Sequence, residues 1–242
     1  MSDGPVCIVL GGSGTVGRAV CRTLEAGGAR VGLTYHRNRP SDNGAMARPV
    51  DLCDVGAIDR TLTGFADHFG RLDAVIHCAA VAEAEHHSMT DVDESAWDAM
   101  LAVNTKSAFF AARRASELMR ERGGNIVLLG SIDGVKAAPS PVHYAASKGA
   151  LAGMVKAMAK ELGPHNIRVN TIAPGLVRTD FAKALWENPK IYEQTVRIYP
   201  LKRIGEPDEI AGAAVFLASP AGTFITGQTI VIDGGGMVGR GG

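Results

Sequence analysis

The chain has 242 residues, 46 % hydrophobic and 21 % charged, which supplies a packed core and excludes a wholly disordered chain. Lys+Arg and Asp+Glu number 25 each, so net charge is zero, and aromatics are only 5 %; neither a basic footprint nor a stacking surface for nucleic acid is indicated. No apolar run approaches the ~18 residues of a membrane helix, and the polar start lacks a signal-peptide pattern.

Apolar runs alternate with longer helical patterns. Residues 6–10 read as a buried strand ending in glycines, and residues 16–26 as a helix stopped by Gly27 and Gly28. Residues 31–35 form the next predicted strand, 36–46 a polar loop, 49–52 a short third strand and 55–69 a helix. A fourth strand is predicted over 72–80 and a long helix over 95–122, closed by Gly123 and Gly124. Then come a strand at 125–129, a helix at 143–162, a strand at 167–172 and a mixed segment at 176–205. Residues 207–218 read as a helix, with Pro207 in its first turn and Asp208 and Glu209 at its positive end. Residues 229–232 close the chain as a last strand.

Strands apolar throughout, joined by helices, imply a parallel sheet covered on both faces. Right-handed crossovers then give a single α/β domain over residues 1–242. It is a doubly wound, Rossmann-type sheet of about seven strands, with ligands beyond the carboxyl ends. Cys7, Cys21, Cys53 and Cys78 form no C-x-x-C pair. They are expected as reduced, mostly buried small side chains in a cytoplasmic protein.

Gly11-Gly12-Ser13-Gly14-Thr15-Val16-Gly17 joins the first strand to the first helix. A helix N-terminus offers free N–H groups and a positive dipole end, and missing side chains let a pyrophosphate come close. Gly17 also permits tight packing of helix on strand. Tyr144 and Lys148 lie four apart in a helical pattern and share a face. A phenol titrates near ~10, and an ammonium one turn away lowers that value toward a useful acid/base range. Ser131 stands at a strand end, where its hydroxyl can hold a substrate oxygen. The combination points to hydride transfer, with the cofactor supplying the chemistry and the protein a proton.

On these motifs the chain resembles the short-chain dehydrogenase/reductase superfamily over nearly its whole length. Val142-His143-Tyr144-Ala145-Ala146-Ser147-Lys148-Gly149-Ala150 is similar to that family's active-site helix, and Gly130-Ser131-Ile132 to its serine motif. Val103-Asn104-Thr105 resembles the asparagine motif of the long helix. Residues 170–179 resemble the segment that closes over the nicotinamide. Residues 203–210 and 227–235 resemble the 3-oxoacyl-[acyl-carrier-protein] reductase branch.

The resemblance implies Tyr144 as general acid/base and Ser131 as orienter of the carbonyl. It implies that Lys148 lowers the tyrosine pKa and binds the nicotinamide ribose, and that Asn104 holds a water continuing a proton relay from Lys148. It implies cofactor contacts from Gly11, Ser13, Gly14, Thr15, Val16 and Gly17 at the phosphates. Asp51, Leu52, Cys78, Ala79 and Ala80 would stand around the adenosine side, and Pro174, Gly175, Val177 and Thr179 at the nicotinamide end. Two departures stand out. Thr15 occupies a usual glycine position, with Gly14 one place earlier, so Thr15 itself is a candidate phosphate ligand. The motif usually written N-N-A-G is His77-Cys78-Ala79-Ala80, where His77 is expected to replace the asparagine in holding backbone. No metal site is expected, because no further ligands cluster near His77 and Cys78 in sequence.

After the second strand comes His36-Arg37-Asn38-Arg39, with no acid before Asp42. A carboxylate there would accept the ribose hydroxyls, whereas Arg37 can grip a 2′-phosphate, so NADP(H) is the expected cofactor. The expected activity is reduction of a ketone to a secondary alcohol, with a 3-oxoacyl thioester on an acyl carrier protein as leading substrate, in fatty acid or polyketide biosynthesis. The alternatives are a dehydrogenase of a free small alcohol, sugar or steroid, and a non-catalytic nucleotide-sensing protein. Residues 179–200 are expected as a lid, with Trp186, Tyr192 and Tyr199 lining an apolar site or packing helices. His86 and His87 fall in a loop near the expected mouth, as substrate contacts or as solvated side chains. Arg113, Arg114, Arg120 and Arg122 form a candidate basic edge for steering an acidic carrier protein, or complement a helix C-terminus. Relatives of this type imply a homotetramer.

Overall fold

The first strand, β1 (Val6–Leu10), is buried at every position, and its two faces feed two cores. Successive side chains of a strand point to opposite faces. Val6, Ile8 and Leu10 pack with Ile58, Leu62, Phe65, Ala111, Leu151 and Val155, whereas Cys7 and Val9 pack with Val20, Leu24, Ala211, Ala214 and Leu217. The sheet is thus covered on both sides, as a continuously apolar strand requires.

The computed structural model describes residues 4–37, 39–40, 46–82, 88–136 and 140–238. After β1 come α1 (Thr15–Ala26), β2 (Arg30–Tyr35), β3 (Met46–Pro49), α2 (Val55–Phe69) and β4 (Ala74–His77). They are followed by α3 (Glu94–Leu101), α4 (Ser107–Met119), β5 (Gly124–Leu129), α5 (Val142–Leu162) and β6 (Ile167–Pro174). Three helices, α6 (Lys183–Trp186), α7 (Pro189–Ile198) and α8 (Pro207–Ala218), precede β7 (Thr229–Ile232). The seven strands form one parallel sheet in the order β3-β2-β1-β4-β5-β6-β7. The order in which strands are added reverses between β1 and β4, where such folds open a crevice.

Local chemistry sets the helix ends. Asp54 caps α2 by accepting the Ala57 N–H at 3.0 Å, and Gly70 ends it at φ 76°. Asn188 caps α7 ahead of Pro189. Glu206 and Glu209 close a reciprocal capping box on α8, with Pro207 at its first position.

Three predicted elements need correction. The third strand lies at Met46–Pro49 rather than 49–52, paired from Gly32↔Met46 to Tyr35↔Pro49. Its arginine hid it: Arg48 holds its guanidinium over the Phe65 ring, 5.0 Å from the centroid, and donates to Gly64 O. The fourth strand spans Ala74–His77; Cys78 still donates its N–H to Leu10 O at 2.8 Å, and Ala79 then lies against the glycine turn. The long helix is α3 and α4 joined by a π-helical turn at Ala102–Lys106.

Phe65 is fully buried and stacks on Phe69, and Gly32 of β2 leaves it room, since a Cβ there would stand 2.8 Å from its ring. Phe65→Ala should cost about 3–5 kcal/mol of stability, read from the midpoint shift in a denaturant titration.

Candidate active site

The candidate cofactor and substrate residues on loops follow the carboxyl ends of strands, and Asn104, Tyr144 and Lys148 stand on helices. The glycine turn follows β1, Cys78-Ala79-Ala80 follows β4, Ser131 follows β5, and Pro174 to Thr179 close β6. His36 and Arg37 follow β2 and are exposed, as is Asp51 beyond β3. His86, His87, Asn38 and Asp42 lie outside the described residues.

The turn has no room for side chains at three of its glycines. A Cβ on Gly11, which sits at φ 74°, would fall 2.7 Å from the Ala79 backbone; one on Gly12 would meet Leu33, and one on Gly17 the Gly11 carbonyl. Gly14 is the N-cap of α1 and brings no side chain to its first-turn N–H groups. Thr15 directs its hydroxyl across the cleft, donating to Asp180 Oδ2 at 2.9 Å, and accepts the Asp180 N–H at 3.3 Å.

Tyr144 and Lys148 are both buried in the first turns of α5. The Lys148 ammonium donates to Leu129 O at 2.8 Å and lies 5.9 Å from the Tyr144 ring centroid. Burial pushes Lys148 down to about 8. Burial also pushes the Tyr144 phenol above its ordinary value; the charge of Asp133 adds to this, and a hydrogen bond with Ser131 opposes it. In this structure the phenol is therefore held protonated, rather than drawn down as the Tyr144–Lys148 spacing led one to expect. Ser131 caps a short 3-10 turn, Ile132–Gly134, by accepting the Asp133 N–H at 3.1 Å. Asp133, absent from the sequence reading, is raised by burial first. Only its place two residues beyond Ser131 pointed to it.

Asn104 sits buried inside the π-helical turn. Its Oδ1 accepts the Val81 N–H at 2.8 Å, and its Nδ2 donates to Val81 O at 2.9 Å and to Ser147 Oγ at 3.1 Å. Ser147 in turn donates to Tyr144 O at 2.7 Å. The asparagine thus clasps the chain beyond β4 to the helix carrying the tyrosine.

His77 is buried, with Nε2 2.8 Å from Ser107 Oγ. Ser107 gives its own proton to Val103 O, so the network assigns the His77 proton to Nε2, donating to the serine. His77 therefore holds α4 by a side chain, where the sequence reading had it holding backbone. Desolvation, with the nearby Lys148 charge, pushes it down to about 3, so it is neutral in the folded protein. None of the four cysteines is in a disulfide; Cys7 and Cys21 are buried, Cys78 is half-buried and Cys53 is exposed.

In the lid, Trp186 donates to Thr179 O at 2.8 Å under the Arg178 guanidinium. Tyr199 is buried and accepts the Leu176 N–H at 2.8 Å, propping the end of β6. Both pack the lid. The ring that faces Tyr144 is Phe181, 6.4 Å between centroids, which the sequence reading missed. The basic edge is also corrected. Arg113 pairs with Asp59 and Arg114 with Glu117 and Thr63, tying α4 to α2. Arg120 and Arg122 lead into the start of β5, at the sheet edge opposite Ser131.

A family profile described as enoyl-(acyl carrier protein) reductase matches residues 12–236, and the chain belongs to the short-chain dehydrogenase/reductase family. It is 34 % identical over 230 residues to 3-oxoacyl-[acyl-carrier-protein] reductase MabA of Mycobacterium bovis, covering 94 % of this chain and 91 % of that one. It is 34 % identical over 244 residues to galactitol 2-dehydrogenase (L-tagatose-forming) of Cereibacter sphaeroides, covering 96 % and 95 %. Among solved structures, a short-chain type dehydrogenase/reductase from Mycobacterium ulcerans superposes with a TM-score of 0.91 at 31 % identity, covering 98 % and 91 %. The family is one of oxidoreductases that use a nicotinamide cofactor. The crowded turn and the uncapped start of α1 fit the pyrophosphate of such a dinucleotide. Among the described residues, no helix is long and apolar enough to cross a membrane.

Because His77 is held below its unfolded value near 6.5, the folded state binds fewer protons than the unfolded one as pH falls through that range. Stability should drop by up to about 1.4 kcal/mol per pH unit from about 6.5 toward 3 from this group alone. His77→Asn should flatten that acid limb, seen as a shrinking difference in Tm between variant and parent as pH falls.

Proposed function

We propose that this chain is an NADPH-dependent ketoreductase whose substrate is a 3-oxoacyl thioester on an acyl carrier protein. The carrying observation is a buried phenol, Tyr144, beside the Ser131 hydroxyl and one helical turn from buried Lys148. A phenol kept protonated at neutral pH is set to donate, which suits reduction: the developing alkoxide is the stronger base and takes the proton. The nicotinamide, when bound, supplies the hydride to the carbonyl carbon. Ser131 donates to the carbonyl oxygen and fixes it beside the tyrosine. Lys148, anchored on Leu129 O, binds the ribose end and favours the phenolate left after transfer. Asn104 and Ser147 keep the helix turn in place. Gly11, Ser13, Gly14, Val16 and Gly17 would hold the pyrophosphate. Pro174, Gly175, Val177 and Thr179 would stand at the nicotinamide, and Asp51, Leu52, Cys78, Ala79 and Ala80 along the adenosine side. The relative named as an acyl-carrier-protein reductase supports the acyl substrate. So does a groove of about 250 Å³ beside the first turn of α5, lined by Met89, Val92, Trp97 and Val142 with Asp93, Glu94 and His143.

A second reading, a dehydrogenase of a free sugar alcohol, is favoured by the half-buried carboxylate of Asp133 near the tyrosine, which can accept a substrate hydroxyl, and by the galactitol dehydrogenase relative. Four cysteines without a disulfide fit a reducing, cytoplasmic setting. Exposed apolar side chains at Trp97, Phe109 and Phe216 fit assembly as a homotetramer.

The deciding assay is NADPH oxidation with a 3-oxoacyl thioester, set against polyol oxidation with the oxidised cofactor; turnover of the polyol alone would replace the first reading by the second. Tyr144→Phe should lower turnover at least ~100-fold while the cofactor still binds, and near-parental turnover in that variant would remove the tyrosine from its role. The exposed Arg37 directly after β2 should give NADPH a preference of at least about tenfold over NADH in kcat/KM, roughly 1.4 kcal/mol. Arg37→Ala should erase most of it, and equal efficiencies in the unmodified enzyme would refute the assignment.

A further inference from the structure

We infer that Thr15 and Asp180 form a latch that ties the lid to the phosphate turn and fixes Phe181 against the catalytic tyrosine, making both of them positioning residues for the cofactor and the lid. The inference rests on reading the cleft as a nicotinamide-dinucleotide site. Thr15 is the first residue of α1 and Asp180 lies six residues beyond the end of β6, on the opposite wall of the cleft. Their contact is reciprocal, side chain to side chain at 2.9 Å and backbone N–H to hydroxyl at 3.3 Å. Arg18, one turn further along α1, brings its guanidinium within 3.7 Å of the same carboxylate oxygen and is itself held by Ser13 O at 2.8 Å. The wall that Asp180 anchors is short and internally braced. Thr179 O accepts from Trp186, Thr179 Oγ1 accepts the Ala182 N–H at 3.1 Å, and Val177 bridges to Gly205. Holding Asp180 therefore holds the next residue, Phe181, whose ring lies 6.4 Å from that of Tyr144 although the side chain is half exposed.

The resemblance puts a glycine where Thr15 stands, and glycine cannot make this contact. The threonine hydroxyl, expected at a phosphate, is committed to the lid. A turn that carries the latch closes the lid across the pyrophosphate position from the side, so that a bound dinucleotide leaves only when the pair parts. The Asp180 side chain is 82 % exposed in its pair with Arg18, so the latch is screened and modest, in keeping with a part that opens every turnover.

The test is a double-mutant cycle with Thr15→Ala, Asp180→Ala and the pair, read by two signals. One is the dissociation constant for NADPH and for NADH, from nicotinamide fluorescence. The other is amide hydrogen exchange of residues 177–186 in the cofactor-free protein. Each single variant should weaken both cofactors by about three- to fivefold, and the double variant by less than the product of the two single losses. The loss should fall on KM for the cofactor more than on kcat. Exchange across the lid should speed up in all three, in the double variant by less than the two single effects combined, and Thr15→Ser should keep parental values. Additive losses, or unchanged lid exchange in the single variants, would overturn the latch. If the unmodified protein bound neither dinucleotide, the cofactor reading would fail, while exchange in the lid would still decide whether the two residues act as one.

Discussion

A lysine ammonium buried under the sheet edge organises this site. Lys148 is 3 % exposed, and its bond to Leu129 O is made at the last residue of β5, two residues before Ser131. A buried cation without a fixed acceptor is costly, so the carbonyl and the helix turn are bound to one another in position. That bond sets the height of α5 against the strand and so brings the Tyr144 phenol to the Ser131 hydroxyl. The same burial that lowers Lys148 raises Tyr144, and two groups with opposite charge habits end up pushed toward neutrality together. The supports converge on this point. Asn104 fastens the chain beyond β4 through Ser147, and His77 fastens the end of β4 to α4. The glycine turn lies against Ala79 from the other side.

The architecture was readable because its signals are local and redundant. Residues 55–69 carry an aspartate cap, an apolar stripe and a closing glycine, and the helix has those bounds. The chemistry was readable for the same reason, since motifs at strand ends converge once the sheet is parallel. What escaped depends on contacts between distant residues. An arginine in an edge strand looks like loop until its guanidinium is seen over the Phe65 ring. Arginines near the end of a helix look like a docking edge until Asp59 and Thr63 on the neighbouring helix are seen to hold them. Aromatic residues in the lid could not be ranked by sequence, because Trp186, Tyr199 and Phe181 differ only in what each one faces.

His77 illustrates a substitution that changes the partner while keeping the duty. In place of an amide that would hold main chain, an imidazole reaches a serine hydroxyl on the adjacent helix, and the serine passes its own proton one turn back to Val103 O. Burial and the nearby Lys148 charge, not the network itself, keep the ring neutral, so a group that ordinarily titrates near physiological pH is held out of that range.

The π-helical turn at Ala102–Lys106 divides one continuous rod into two halves of different phase. One residue in excess of the regular helix rotates everything downstream by about 100°. Before it, α3 buries Met100 and packs beside α5; after it, α4 buries Ser107, Ala108, Ala111, Ala112, Ala115 and Met119 against the sheet and α2. The two halves answer to different neighbours, so apolar substitutions in one leave the stripe of the other in place. The offset itself is indivisible. A helical phase cannot drift by small steps, and the smallest genetic event that creates or removes this one is the gain or loss of a single codon. Asn104, seated at the widened turn, owes its inward aim to that one extra residue.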